Sequence, residues 1–295
     1  MTQARVTSGV CFFSAIAVFL FSVAMASEQA GKPKTILKDG FEAAGFENWD
    51  RDGPIKPTRI RITADGVNVH SGKRAVEFVA PIGKGSGGKL VKWFMPGFEK
   101  VYARWYCKFS TDFDQGNHMH FVHLLACRVD NKWSAFGKAG IRPKGDDFFT
   151  TGLEPWRNWK RYPPPGALQF YTYYPDMRGD RKSGKFWGNF FAPAKPFLLK
   201  RNQWYCMEMM VKLNDPEMRN GEQAFWVDGR KIGHFRRLRL RTSKRIRLNC
   251  FWLLLYVHDS KKLNKVWFDD VVISTEYIGP RKDSRLQAEK GSRSP

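Results

Sequence analysis

Three of the chain's six histidines, His118, His120 and His123, fall within six positions of the stretch GNHMHFVHLLACRV (116–129). In a regular extended strand, side chains alternate between faces, so His118 and His120 point one way and His123 the other. A His-x-His pair on one face suits zinc, but a third ligand must then come from elsewhere in the chain. Three uses stay open: metal ligation, proton transfer or substrate contact, and ordinary strand packing. His70, His234 and His258 come with no partner motif.

Carboxylates give a different result. Sugar hydrolysis by a retaining or inverting route needs two carboxyl groups flanking one bond. No Glu-x-Asp-x-Glu spacing is present. Glu208 in WYCMEMMVKL has no acidic neighbour two or four positions on, and the adjacent Asp269 and Asp270 point to opposite faces of a strand. Hydrolysis by paired acids is therefore disfavoured. A set of cations and phenols is better matched to β-elimination on a uronic-acid polymer. There a cation neutralises the carboxylate, a base takes the C5 proton and an acid protonates O4. GKAGIRP (137–143) reads as a strand with Lys138, Gly140 and Arg142 on one face. ALQFYTYYPDM (167–177) puts Gln169, Tyr171 and Tyr173 on one face, with Phe170, Thr172 and Tyr174 on the other.

The elements that must carry these groups are strands. VYARWYCKF (101–109) alternates Val101, Ala103, Trp105, Cys107 and Phe109 against Tyr102, Arg104, Tyr106 and Lys108. AFWVDGRKIGHF (224–235) is a hairpin turning at Asp228-Gly229. RLNCFWLLLYVHD (247–259) and KVWFDDVVISTEYI (265–278) close the body. Helical periodicity over a full window is missing, and aromatic residues make up 15% of the chain. These features predict an all-β, two-sheet antiparallel sandwich of the jelly-roll kind over residues 38–281. Residues 27–37 and the basic tail 282–295 are polar and without periodicity; the first is expected to be flexible and the second disordered.

The first 26 residues carry Arg5, an apolar run and Ala24-Met25-Ala26, the layout of a cleaved secretory signal. Its removal leaves 49 basic against 28 acidic residues, a charge of +21 where the whole chain has +22. A protein this cationic, exported to the periplasm or the outside, is expected to meet anionic polysaccharide and not nucleic acid. No later apolar run is long enough to span a bilayer, so no stable membrane insertion is expected once the signal is gone. A monomer is expected. Cys107, Cys127, Cys206 and Cys250 lie in strand-like runs, as buried thiols or as bridges. FRRLRLRTSKRIRL (235–248) reads as a strand whose Arg237, Arg239 and Arg241 form one basic face, either for glycan binding or as a solvated edge. Asp39, Glu42 and Asp270, on the first and last strands, offer hard oxygen ligands to a structural Ca2+; the alternative is that they bond nearby turn amides.

The order of DGFEAAGFENW, YARWYCKFSTDFD, HLLA, GKAGIRP, ALQFYTYYPDM, NQWYCMEMMVKLN, FWVDGRKIG and FDDVVISTEYIG resembles the concanavalin-A-like jelly rolls of polysaccharide lyase family 14, which cleave alginate and glucuronan. The resemblance spans most of residues 38–280. It implies a site in which Tyr171 and Tyr173 act as base and acid and Arg142 neutralises the carboxylate. His123 falls where the family has lysine, and Gly140 where it has serine. His123 is then an assisting donor or base, with Lys138, Gln169, Arg237, Arg239 and Arg241 contacting substrate. No cofactor is required for such a reaction. Residues 144–166, with Trp156, Trp159 and PPPG, read as an insertion looping over the groove. The expected function is thus a secreted lyase acting on a uronate polysaccharide. The other readings are a non-catalytic glycan-binding module and a cationic envelope protein.

Overall fold

A computed structural model describes residues 34–282. The expected signal at 1–26 and residues 283–295 of the expected tail lie outside the described residues. Strands β1 (Thr35–Asp39), β2 (Ile60–Thr63), β3 (Ala75–Ala80), β4 (Gly83–Phe98), β5 (Lys100–Phe109), β6 (Met119–His120), β7 (Val122–Arg128) and β8 (Phe148–Trp156) form the first half. The second half holds β9 (Gly166–Tyr173), β10 (Asn189–Phe191), β11 (Leu198–Leu199), β12 (Trp204–Lys212), β13 (Gly221–Val227), β14 (Arg230–Leu238), β15 (Ile246–Ser260) and β16 (Asn264–Ser274). Among the described residues, the helical content is one short 3-10 turn at Gly66–Asn68. No helix among them is long and apolar enough to cross a membrane.

The strands make two antiparallel sheets. One runs β14-β13-β12-β5-β16-β3-β2, with β1 also on β16; the other runs β10-β9-β8-β7-β15-β4, with β11 on β9 and β6 on β15. This is the jelly-roll sandwich that the strand pattern predicted. The alternation over 101–109 sets its core: Val101, Ala103, Trp105, Cys107 and Phe109 are fully buried between the sheets. Leu168 and Phe170 of β9, and Phe251, Leu253 and Leu255 of β15, meet them from the second sheet. Burial of each large apolar side chain is worth about 1.5–3 kcal/mol, so the alternation leaves little freedom in which face turns inward. Asp228 and Gly229 have φ of 51° and 77°, as a type I′ hairpin turn between β13 and β14 requires.

Several expectations are corrected. Strand β1 starts at Thr35, so order begins inside the segment read as flexible. Residues 144–166 are not one loop: Phe148–Trp156 form β8, an interior strand between β7 and β9, and 157–165, with Trp159 and the three prolines, is the loop that follows it. GKAGIRP is not a strand but a turn, tied down by a bridge from Gly140 to Phe186. The three arginines do not share a face. Arg237 takes φ 58° and β14 ends at Leu238, which breaks the alternation. Arg239 bonds Asp176, while Arg241 is buried and donates to the carbonyls of Asn214 and Ile246 and to Glu99. The first and last strands do pair, Asp39 facing Val271. The acids there are nevertheless committed to other donors. Asp39 accepts from Phe41 N and Trp49 Nε1, Glu42 from Lys73 N and Arg74 N, and Asp270 from Ser71 Oγ and Arg281. The four described cysteines are buried free thiols.

Candidate functional site

The outer face of the β10–β4 sheet carries the chemistry. On β9, Gln169, Tyr171 and Tyr173 face outward because Leu168 and Phe170 face the core. The Tyr171 and Tyr173 hydroxyls lie 3.5 Å apart. Next to β9, β8 sets Gly152 opposite Tyr171 and Glu154 opposite Gln169. On its other side, β8 sets Gly152 opposite His123 of β7.

The three histidines converge, which regular alternation forbids. Phe121 and Val122 are adjacent, yet both point into the core. The partner strand records the slip: His120 pairs with Tyr256 of β15, whereas His123 pairs with Trp252, one residue out of step. Such an irregularity flips the side chains that follow it to the other face. All three imidazoles therefore meet Glu154. His118 Nε2 is 2.9 Å from Oε1, His120 Nδ1 is 3.2 Å from Oε2, and His123 Nε2 is 3.3 Å from Oε2. His258 completes the cluster, stacked on His118 at 5.0 Å and edge-on to His120 at 4.9 Å between ring centres.

Glu154 was not singled out in the sequence. As a lone acid in TTGLEPW it has no spacing signal; what marks it is a carboxylate inside an apolar, strand-like run. It is wholly buried, whereas the side chains of His118 and His120 are 19% and 24% exposed and that of His123 is 8% exposed. Burial works against ionisation of Glu154. The imidazoles of His120, His118 and His123 outweigh it and hold the carboxyl well below the usual carboxylate range. Burial pushes His123 down against the pull of Glu154. Burial, followed by His120 and His118, pushes His258 down to about 4. Burial and the neighbouring Tyr173 raise the Tyr171 hydroxyl above its ordinary value, so at neutral pH it can give a proton but hardly take one.

The remaining expected residues are placed as follows. Tyr173 Oη lies 3.4 Å from Gly140 N, so the turn that carries Arg142 abuts the tyrosines. Arg142 is exposed; its Nε donates to Pro175 O at 2.6 Å and its guanidinium lies 5.7 Å from the Phe186 ring. Lys138 lies 5.9 Å from the Phe148 ring. Gln169 is buried, and its Nε2 has no partner among the described residues. Arg241 lies apart from this face, held in its own pocket of carbonyls. Two glycines make the crowding feasible. A Cβ on Gly188 would stand 2.7 Å from the Tyr171 ring, and one on Gly152 would meet His123. Along the sheet, Trp252, Phe136, Trp93 and Trp133 form an aromatic row, with Lys89 over Trp252 at 4.6 Å and Lys132 over Trp93 at 4.7 Å. Beyond Tyr171, an open depression of about 560 Å3 is lined by Arg178, Trp187, Gly188 and Phe190.

Comparison with known proteins supports the same architecture. Residues 165–256, which include Tyr171 and Tyr173, match the model of the family Polysaccharide lyase 14. Among solved structures, the fold is similar to that of an alginate lyase from Chlorella virus. Identity there is 16%, the TM-score is 0.56, and the match covers 75% of this chain and 90% of that one. It is similar to the marine PL-14 alginate lyase from Aplysia kurodai at 14% identity and TM-score 0.56, over 74% and 87% of the two chains. It is also similar to an endo-β-1,4-glucuronan lyase from the fungus Trichoderma reesei at 15% identity and TM-score 0.53, over 78% and 92%. No curated protein matches the chain. The chain is thus a jelly roll similar in fold to these lyases, with a stretch at 165–256 that resembles the family Polysaccharide lyase 14.

Proposed function

From that likeness, and from the tyrosine pair on the outer sheet face, we propose that the protein is a lyase cleaving a uronate-containing polysaccharide by β-elimination. The observation that carries this reading is the convergence of the Tyr171 and Tyr173 hydroxyls at 3.5 Å beside the imidazoles of His118 and His120. β-Elimination needs two proton-transfer groups at one sugar ring. Tyr173, which accepts from the Gly140 amide, acts in its phenolate form as the base that takes the C5 proton and becomes the phenol. The C5–H electrons form the C4–C5 double bond, and the C4–O4 bond breaks. O4 leaves with the proton given by Tyr171. Arg142, on the turn that abuts Tyr173, binds the uronate carboxylate, for which its guanidinium fork is suited. The surplus of cationic residues recruits the polymer from a distance.

Purified protein assayed on polymannuronate, polyguluronate and polyglucuronate, with a neutral glucan as control, tests this. The expected result is rising ultraviolet absorbance from the new double bond on at least one uronate polymer and none on the glucan. Arg142→Ala should reduce the rate more than Arg142→Lys, because lysine keeps the charge. Absence of unsaturated product on every uronate polymer overturns the lyase reading. A non-catalytic glycan-binding role would then stand on the aromatic row of Trp252, Phe136, Trp93 and Trp133 with its two lysines.

A further inference from the structure

Four imidazoles crowd around one buried carboxylate, and the elimination chemistry uses none of them as its acid or base. We infer that His118, His120 and Glu154, backed by His123 and His258, form a binding site for a divalent transition-metal ion of the zinc type.

Geometry is the first support. One ligand atom each from His118, His120 and Glu154 lies within 4.8 Å of the others. A tetrahedral ion with bonds of about 2.0–2.1 Å holds neighbouring ligand atoms about 3.3–3.4 Å apart. The Glu154 oxygens lie 2.9 Å from His118 Nε2, 3.2 Å from His120 Nδ1 and 3.3 Å from His123 Nε2. His118 and Glu154 share a wall of the site through the bridge of His118 to Trp156.

The ligand set is the second support. The ring centres of His118, His120 and His258 are 4.9–5.1 Å apart. Glu154 supplies a single negative charge, and among the described residues it is the only carboxylate bonded to these rings. Imidazole nitrogens together with a carboxylate oxygen are the donor types that a borderline divalent ion takes. His258 Nε2 is buried with no hydrogen-bond partner among the described residues, so the cluster has a nitrogen to spare. Oxygen-seeking ions such as Ca2+ and Mg2+ are poorly served by so many nitrogens.

The site takes its three ligands from two strand segments, with a third beside them. His118 and His120 sit on the β6 side of the register slip and Glu154 on β8, while His258 on β15 backs them. With three protein ligands, a fourth position stays open on the side of Tyr171, whose ring is 5.2 Å from His118 and 5.3 Å from His120. The inference does not depend on the lyase reading, because occupancy is measured without any polymer.

The test uses the full-length protein, stripped with a chelator, re-equilibrated with Zn2+ and passed through a desalting column. Elemental analysis should find about one zinc per chain. Co2+ added in its place should give visible d–d bands. His120→Ala and Glu154→Gln should each lose the zinc and the bands, while His234→Ala, whose ring pairs with Glu222 on the other sheet, should keep both. Zn2+ should raise the melting temperature of the wild type but not that of His120→Ala, a comparison made on folded protein in each case. Wild-type protein that retains no zinc and shows no cobalt bands overturns the inference. So does His120→Ala that binds as well as the wild type. Either result would leave the cluster as a hydrogen-bonded network around Glu154.

Discussion

Gly152 on β8 faces His123 on β7, and a Cβ at that glycine would stand 2.3 Å from the imidazole Nε2. The missing side chain is therefore what lets His123 lie flat against Glu154. Gly152→Ala is expected to force the ring outward and to cost about 1–3 kcal/mol, the usual range for overpacking a filled site. Chemical denaturation of the two proteins measures it. A midpoint equal to wild type would mean that the ring has room to move.

Tyr171→Phe and Tyr173→Phe each remove a hydroxyl and keep the ring. In the proposed reaction each should lower turnover by about 10²–10⁴-fold, the typical worth of an acid–base group. Melting temperatures should stay close to wild type, because the hydroxyl contact of 3.5 Å is long for an O–H···O bond. Wild-type turnover in both variants would place the proton transfers elsewhere.

Arg241 and Arg237 look alike in the sequence and should behave oppositely. Arg241→Ala leaves the Asn214 and Ile246 carbonyls without their donor. Each such loss costs about 1–3 kcal/mol in a buried setting, so the variant should be strongly destabilised. Arg237→Ala, at an exposed position, should unfold within about 0.5 kcal/mol of wild type. Paired urea titrations compare the two directly.

Asp130 supplies a pH test away from the site. The Arg128 fork, with Nε at 2.7 Å and Nη2 at 2.6 Å, holds its carboxyl down at about 2. A depressed folded value means that the pair's contribution is present above the unfolded value of about 3.9 and is lost as pH falls through about 2. Carbon NMR of the Asp130 carboxyl should show its midpoint near 2, and Arg128→Ala should return it toward about 4. Because the aspartate is exposed, little change in global stability is expected.

Much of this architecture is legible in the residues. The alternation from Val101 to Phe109 gives a core-facing row, and Asp228-Gly229 marks the turn between β13 and β14, because burial and backbone sterics act locally. Tyr171 and Tyr173 are legible for the same reason: one strand, one face. Glu154 is not, since its meaning arises only when β7, β8 and β9 are laid in register, and no spacing along the chain encodes that. The basic run at 235–248 misleads because its alternation continues on paper past Arg237, where the backbone leaves the strand. The histidines lie between these cases. His-Met-His-Phe-Val-His contains two consecutive apolar residues, Phe121 and Val122, and reading both as inward would have set all three imidazoles on the same side.

That two-residue interval makes the cluster sensitive to the parity of the chain as well as to residue identity. Removing Phe121 or Val122 would leave His-Met-His-x-His, in which a strict alternation keeps all three imidazoles on one face. A one-residue deletion at this point should thus straighten the segment and cost one core side chain, yet spare the constellation. Removing both residues would make His120 and His123 neighbours and turn one of them to the opposite side of the sheet, erasing the constellation with every imidazole still in the sequence.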